Sequence, residues 1–193
     1  MASADEYPIL LFSHQTAWRD WLDHHHESER GVWLRLAKAA STLESVSYAE
    51  ALDVSLCYGW IDGQAKKHDG DSWLQKFTPR GKKSAWSKRN REHVERLIEA
   101  GQMQPAGFAA IEAAKADGRW DRAYDSPASA AVPEDLRAAL EESPEAKAFF
   151  GTLNSANRFA ILYRIQTAVK PETRDRRIAK FVAMLERRET LYP

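Results

Sequence analysis

Between Trp73 and Arg91 the chain carries Lys76, Arg80, Lys82, Lys83, Lys88, Arg89 and Arg91 without one acidic residue, and Trp73, Phe77 and Trp86 are interleaved among them. Cations at this density in a loop that feeds a helix offer an anion side-chain charge, backbone N–H groups and the positive end of the helix dipole. Phosphate suits such a loop, and the rings add stacking surfaces for nucleobases or another planar ligand. The competing reading makes the aromatics core and the lysines a solvated face balanced by acidic neighbours. A second set, Trp60, Asp62, Arg80, Trp86, Ser87 and Asn90, puts polar groups inside apolar patterns. Buried polar groups need partners. Either these converge on a polar ligand between Trp60 and Trp86, or they join Arg158 and Arg164 in a network that fixes helices against a sheet.

Other chemistries find less support. His24, His25 and His26 are consecutive on a predicted helix, so their rings diverge, and only His25 with Glu29 has the one-face spacing of a metal pair. His68 lies in a turn whose Asp69, Gly70 and Asp71 are explained by turn chemistry alone. No metal site is expected. Cys57, the single cysteine, excludes an intrachain disulfide and lies at the end of an apolar helix, where free cysteines behave as small hydrophobes. No phosphate-binding glycine loop, serine elbow or dinucleotide fingerprint is present, so no cofactor is expected. Catalysis would require a concave site around Asp62 or His93.

These residues depend on the elements that carry them. Tyr7–Phe12 reads as a short strand, and a helix follows, capped near Ser13 or Thr16 and ended by Gly31, with Trp18, Trp21 and Leu22 at helical spacing. Val32, Leu34 and Leu36 alternate as in a strand. Ser47 and Glu50 form a capping box ahead of a helix closed by Gly59. From Trp60 to Thr78 the pattern is a hairpin turning at His68–Asp71, with Trp73, Gln75 and Phe77 on one face. A helix is expected from near Ser84 to Gly101, and another from Pro105 to Gly118. Tyr124–Pro133, rich in Ala, Ser and Pro, reads as an exposed linker or long loop. Beyond it the chain is helical, with first-turn prolines at 133, 144 and 171 and a cap at Asn154. The expected architecture is α+β: a small antiparallel sheet with helices over residues 1–120, a linker or long loop at 121–133, and a helical segment over 134–193 packed on the first part.

A length of 193 residues with 44% apolar side chains supports a real core. No apolar run approaches the roughly 18 residues of a membrane span. The first residues offer neither a basic nor an apolar region of a secretory signal, so a cytoplasmic address is expected. Net charge is zero, but acidic and basic segments alternate. Residues 76–100 hold eight Lys and Arg against three Asp and Glu. Neutrality therefore leaves room for a locally charged face.

Three stretches resemble one bacterial family. They are Leu56–Gln64 (LCYGWIDGQ), then Phe77–Arg80 (FTPR) with Trp86–Asn90 (WSKRN), and finally Asn157–Ile165 (NRFAILYRI) with Lys170–Arg174 (KPETR). The resemblance is to the YdeI/OmpD-associated, bacteriocin-protection family. It implies, by the family's name, protection against bacteriocins and cationic antimicrobial peptides with no agreed reaction or cofactor, and the favoured expectation is a non-enzymatic role in stress or peptide resistance. With the residues above, the expectation is a ligand-binding protein whose partner is an anionic small molecule, a nucleic acid, or an envelope or peptide component. Its ligand site comprises Trp60, Asp62, Arg80, Trp86, Ser87 and Asn90. Lys76, Lys82, Lys83, Lys88, Arg89 and Arg91 are the candidate anion or nucleic-acid contacts.

Overall fold

The computed structural model describes residues 7–127 and 129–193. They fall into two compact units. The first runs to Ser84 and includes Asn90–Gly118; the second combines Ala85–Arg89 with Arg119–Pro193. The class is α+β, with the helices concentrated toward the C-terminus.

In the first unit, β1 (Ile9–Leu10), β2 (Val32–Ala37), β3 (Trp60–Lys67) and β4 (Ser72–Pro79) form one sheet in the order β1-β2-β4-β3. The pairs β2–β4 and β3–β4 are antiparallel, but β1 pairs parallel to β2. The sheet is thus mixed where an antiparallel one was expected. The helix α1 (Gln15–His25) connects β1 to β2, and a helical crossover returns the chain in its original direction, which a tight hairpin cannot do.

The buried positions of β2 are Val32, Leu34 and Leu36. They face Phe77, Gln75 and Trp73 of β4. Gln75 is a polar side chain in this core row. Its Nε2 donates to the Gly63 carbonyl at 2.9 Å, where the β3–β4 register shifts between Asp62 and Ala65. The amide thus satisfies a carbonyl that the bulge takes out of the ladder. Trp18 and Leu22 of α1, Val54 and Leu56 of α2 (Tyr48–Cys57), Leu97 of α3 (Lys88–Glu99) and Ile111 of α4 (Pro105–Ala116) complete the core.

Local signals resolve in three ways. The capping box of Ser47 and Glu50 is present. The cap of α1 is His14, whose Nδ1 accepts from Ala17 N at 3.2 Å, rather than Ser13 or Thr16. Gly31 does not end α1, which stops at His25. It sits at φ +146°, where an added Cβ would lie 2.6 Å from Thr78 Cγ2 and 2.9 Å from the Phe77 carbonyl. The glycine is there so that the chain can enter β2 against β4.

The second unit contains α5 (Glu134–Glu141), α6 (Pro144–Thr152), α7 (Ser155–Gln166) and α8 (Pro171–Glu186). Leu136 and Leu140 of α5, Phe150 of α6, Ile161 and Ile165 of α7, and Phe181 and Leu185 of α8 share one core cluster. Asn157, nearly fully buried, works inside it as a clasp. Its Oδ1 accepts from Leu191 N and Tyr192 N, both at 2.9 Å, and its Nδ2 donates to the Tyr192 carbonyl at 3.1 Å. Residues 121–127 and 129–133 lie within this unit. Ala123 is buried, and Tyr124 meets Tyr163 edge-on at 4.7 Å.

Candidate functional site

The residues singled out in the sequence divide between the units. Trp60, Asp62, Arg80 and Asn90 belong to the first, Trp86 and Ser87 to the second. Trp60 is part of the aromatic core. Its ring stands edge-on to Trp18 and Trp21 at 6.2 and 6.0 Å, and its indole N–H donates to the His26 carbonyl at 3.1 Å. Two residues along the same strand, Asp62 accepts a 2.8 Å hydrogen bond from the Tyr48 hydroxyl. Arg80 N donates to the Gly59 carbonyl at 3.0 Å, and Arg80 and Asn90 are half-buried.

The helix expected near Ser84 begins only at Lys88. Gly81–Ser84 is instead a turn, in which Ser84 N donates to the Gly81 carbonyl at 2.9 Å and Ser84 Oγ accepts from Gly81 N at 3.0 Å. Trp86 and Ser87 then run beside Tyr124, just ahead of the helix: Tyr124 N donates to the Trp86 carbonyl and Lys88 N to the Tyr124 carbonyl, both at 2.9 Å. These bonds form an isolated parallel bridge at Ser87. Backbone groups engaged sideways cannot form a helical turn, which delays the helix. Trp86 packs at 5.0 Å against Trp120, and Lys88 pairs with Asp125 at 2.6 Å. The Lys88 ammonium and the Gln166 amide hold the Asp125 carboxyl below its ordinary range. The helix N-terminus therefore does not follow the Lys82–Lys83 turn directly. Lys82, Lys83 and Arg89 are exposed, Arg91 is half-buried, and Lys76 lies over the Tyr7 ring at 4.4 Å.

The histidine run has a local explanation. The Nδ1 atoms of His24, His25 and His26 bond the carbonyls of Asp20, Trp21 and Leu22 at 2.7–2.8 Å. His93 bonds Asp53 at 2.8 Å, and Arg96 meets the same carboxylate at 2.6 Å, linking α3 to α2. No group of three metal-ligating side chains occurs among the described residues. Cys57 is buried, and that burial pushes its thiol pKa up, away from thiolate chemistry.

A concave surface absent from the sequence reading lies in the second unit. It is an open groove of about 550 Å³ between α5 and α8, within the size range of ligand pockets. Ala139 of α5 and Ile178, Ala179, Val182 and Ala183 of α8 supply its apolar lining. Asp135 of α5, Glu142 at its C-cap, and Asp175 and Glu186 of α8 rim it. The helical spacing puts each set on one face: 135 and 139 on α5 with 142 at its C-cap, and 175, 179, 182 and 186 on α8. From Asp175 to Glu186 the groove follows α8 for about 16 Å, or three turns.

Two rim carboxylates also hold the unit together. Asp135 takes a fork of hydrogen bonds from Arg174, whose Nη1 reaches the Ile165 carbonyl at 2.9 Å. That guanidinium lowers the Asp135 pKa. Glu186 accepts from Ser143 Oγ, the cap of α6, at 2.8 Å. Glu142 and Asp175 are exposed. The signal for this face was present as acids and alanines at helical spacing on α5 and α8, but a charged helix face is ordinarily a solvated one.

Residues 129–188, which contain the whole groove, match the family model described as bacteriocin-protection, YdeI or OmpD-associated. Residues 10–110 match a second model, described as a domain of unknown function, DUF8412. The LCYGWIDGQ, FTPR and WSKRN stretches fall within this second match, and NRFAILYRI and KPETR within the first. No curated protein and no solved structure matches the chain.

Proposed function

We propose, for a chain that belongs to the DUF8412 family through residues 10–110 and carries a YdeI or OmpD-associated, bacteriocin-protection domain at 129–188, that it is a non-enzymatic protein that binds cationic peptides. The observation that carries this reading is the α5/α8 groove: an apolar trough three turns long, edged by four carboxylates, inside the bacteriocin-protection segment. An amphipathic helix laid along it buries its apolar face on Val182 and Ala179, while its basic flanks meet Asp135, Glu142, Asp175 and Glu186. Alanines at 139, 179 and 183 let the incoming backbone approach closely. Protection then consists of sequestration, which needs no reaction and no cofactor.

Leakage of dye from anionic vesicles, induced by a synthetic amphipathic helix of Lys and Leu, tests the sequestering role. The protein is expected to suppress leakage in proportion to its concentration, and Glu142→Lys with Asp175→Lys to lose most of that effect. Leakage that proceeds unaltered in the presence of the wild-type protein rejects the reading.

A further inference from the structure

The face of the first unit's sheet opposite the Trp60 and Phe77 core carries a second chemistry. Alternation puts Trp33 and Arg35 of β2 and Leu74, Lys76 and Thr78 of β4 on that face. Trp33 stands opposite Ile9 on one side and Lys76 on the other, so Ile9, Trp33 and Lys76 form one row across three strands. Arg35, Leu74 and Lys66 form the next. At the β3 end of the first row lies the bulge at Gly63, which has no side chain to obstruct it. Ile9 is half exposed.

The ammonium of Lys66 lies 4.1 Å from the Trp33 ring centroid. That of Lys76 lies 4.4 Å from the Tyr7 ring and 5.9 Å from Trp33. Arg35 is neutralised by Asp69 at 2.8 Å. Among the described residues no carboxylate pairs with Lys66 or Lys76, and no acidic residue lies on this face of the strands. Aromatic faces and ammoniums without a carboxylate partner among the described residues thus alternate on this face, where Leu74 is buried, Trp33 and Lys76 are half-buried and Lys66 is exposed.

We propose that this face binds single-stranded nucleic acid, with bases stacked on Trp33 and Tyr7 and phosphates taken by Lys66 and Lys76. Stacking on aromatic side chains with cations tracking the backbone is how single strands are held without sequence readout. The lysines lie on the rings at a small cation–π gain at exposed sites. They therefore exchange a ring for a phosphate readily, and the base occupies the vacated ring. A duplex, whose bases stay stacked on one another, gains only the charge contribution. The site is separate from the peptide groove, and its failure leaves that reading standing.

Fluorescence anisotropy of labelled oligo-dT and oligo-rU against the full chain, with duplex DNA and heparin as competitors at low and moderate salt, tests the proposal. Single strands are expected to outcompete duplex and heparin. Trp33→Ala should weaken binding by roughly tenfold, the scale of one base–aromatic stack. Lys66→Glu, at an exposed position that leaves the fold intact, should weaken it and reduce the salt dependence. Absence of single-strand binding at low salt overturns the proposal. So does binding that Trp33→Ala and Lys66→Glu leave unchanged while Lys82→Ala with Lys83→Ala abolishes it, which assigns the contact to the Gly81–Ser84 turn instead.

Discussion

Two glycines and one asparagine show how much depends on single atoms. Gly107 of α4 lies so close to α2 that an added Cβ would collide with the Cys57 carbonyl and come within 2.6 Å of Met103 Cε. Gly107→Ala should therefore cost about 1–3 kcal/mol by overpacking. Gly151 in α6 has nothing within 4 Å of the same position, so Gly151→Ala should instead stabilise by about 0.4–1 kcal/mol. Urea unfolding of the two variants should move in opposite directions; equal shifts would refute the close approach of α4 to α2. Asn157→Ala should cost about 1–3 kcal/mol, because it leaves the Leu191 and Tyr192 N–H groups without their acceptor. Faster amide hydrogen exchange at 191 and 192 would report the loss directly. Asn157 was visible in the sequence only as one letter of NRFAILYRI, since a clasp to residues more than thirty positions away leaves no periodic trace.

At the level of elements, the readable parts were those with a local cause. The Ser47–Glu50 box, the turn at Asp69–Gly70 and the alternation of β2 all emerged where their residues predicted them. The parallel β1–β2 pair and the late start of α3 depend on partners distant in the chain, Trp33 for Ile9 and Tyr124 for Ser87. No local propensity encodes those partners. The candidate anion loop followed the same logic: its charges were legible, but the helix it was to feed begins four residues later than expected.

The ion pairs that join elements also set a pH dependence. Asp135 beside Arg174 and Asp125 beside Lys88 both titrate below the ordinary carboxylate range in the folded protein. A lowered folded-state pKa means stability that is present above the unfolded value, about 3.9, and lost as pH falls through the folded one. Thermal midpoints should thus hold from neutrality to about pH 5 and decline below pH 4. Asp135→Asn should show a shallower decline than wild type, and an identical slope would remove Asp135 from the account.

For the whole molecule, zero net charge conceals a basic face in one unit and an acidic-rimmed groove in the other. The first unit carries lysines against the Trp33 and Tyr7 rings of one sheet face, and the second an apolar groove edged with carboxylates. Alternation of acidic and basic segments along the chain hinted at this separation. It could not say which charges share a face, because that depends on sheet register in one unit and on the pairing of α5 with α8 in the other. The two match different family models as well, residues 10–110 one and residues 129–188 the other.

The central claim, that the α5/α8 groove takes a cationic amphipathic helix, is met most directly by calorimetric titration of the Lys/Leu helix into the full chain, with a Glu/Leu helix as control. Saturable binding of the basic helix alone is predicted. It should be weakened roughly tenfold by Glu142→Lys with Asp175→Lys, chiefly through slower association, since these are exposed rim charges, and it should be blocked by Ala183→Phe. Binding of equal strength in the groove variants, or of both helices alike, would contradict it.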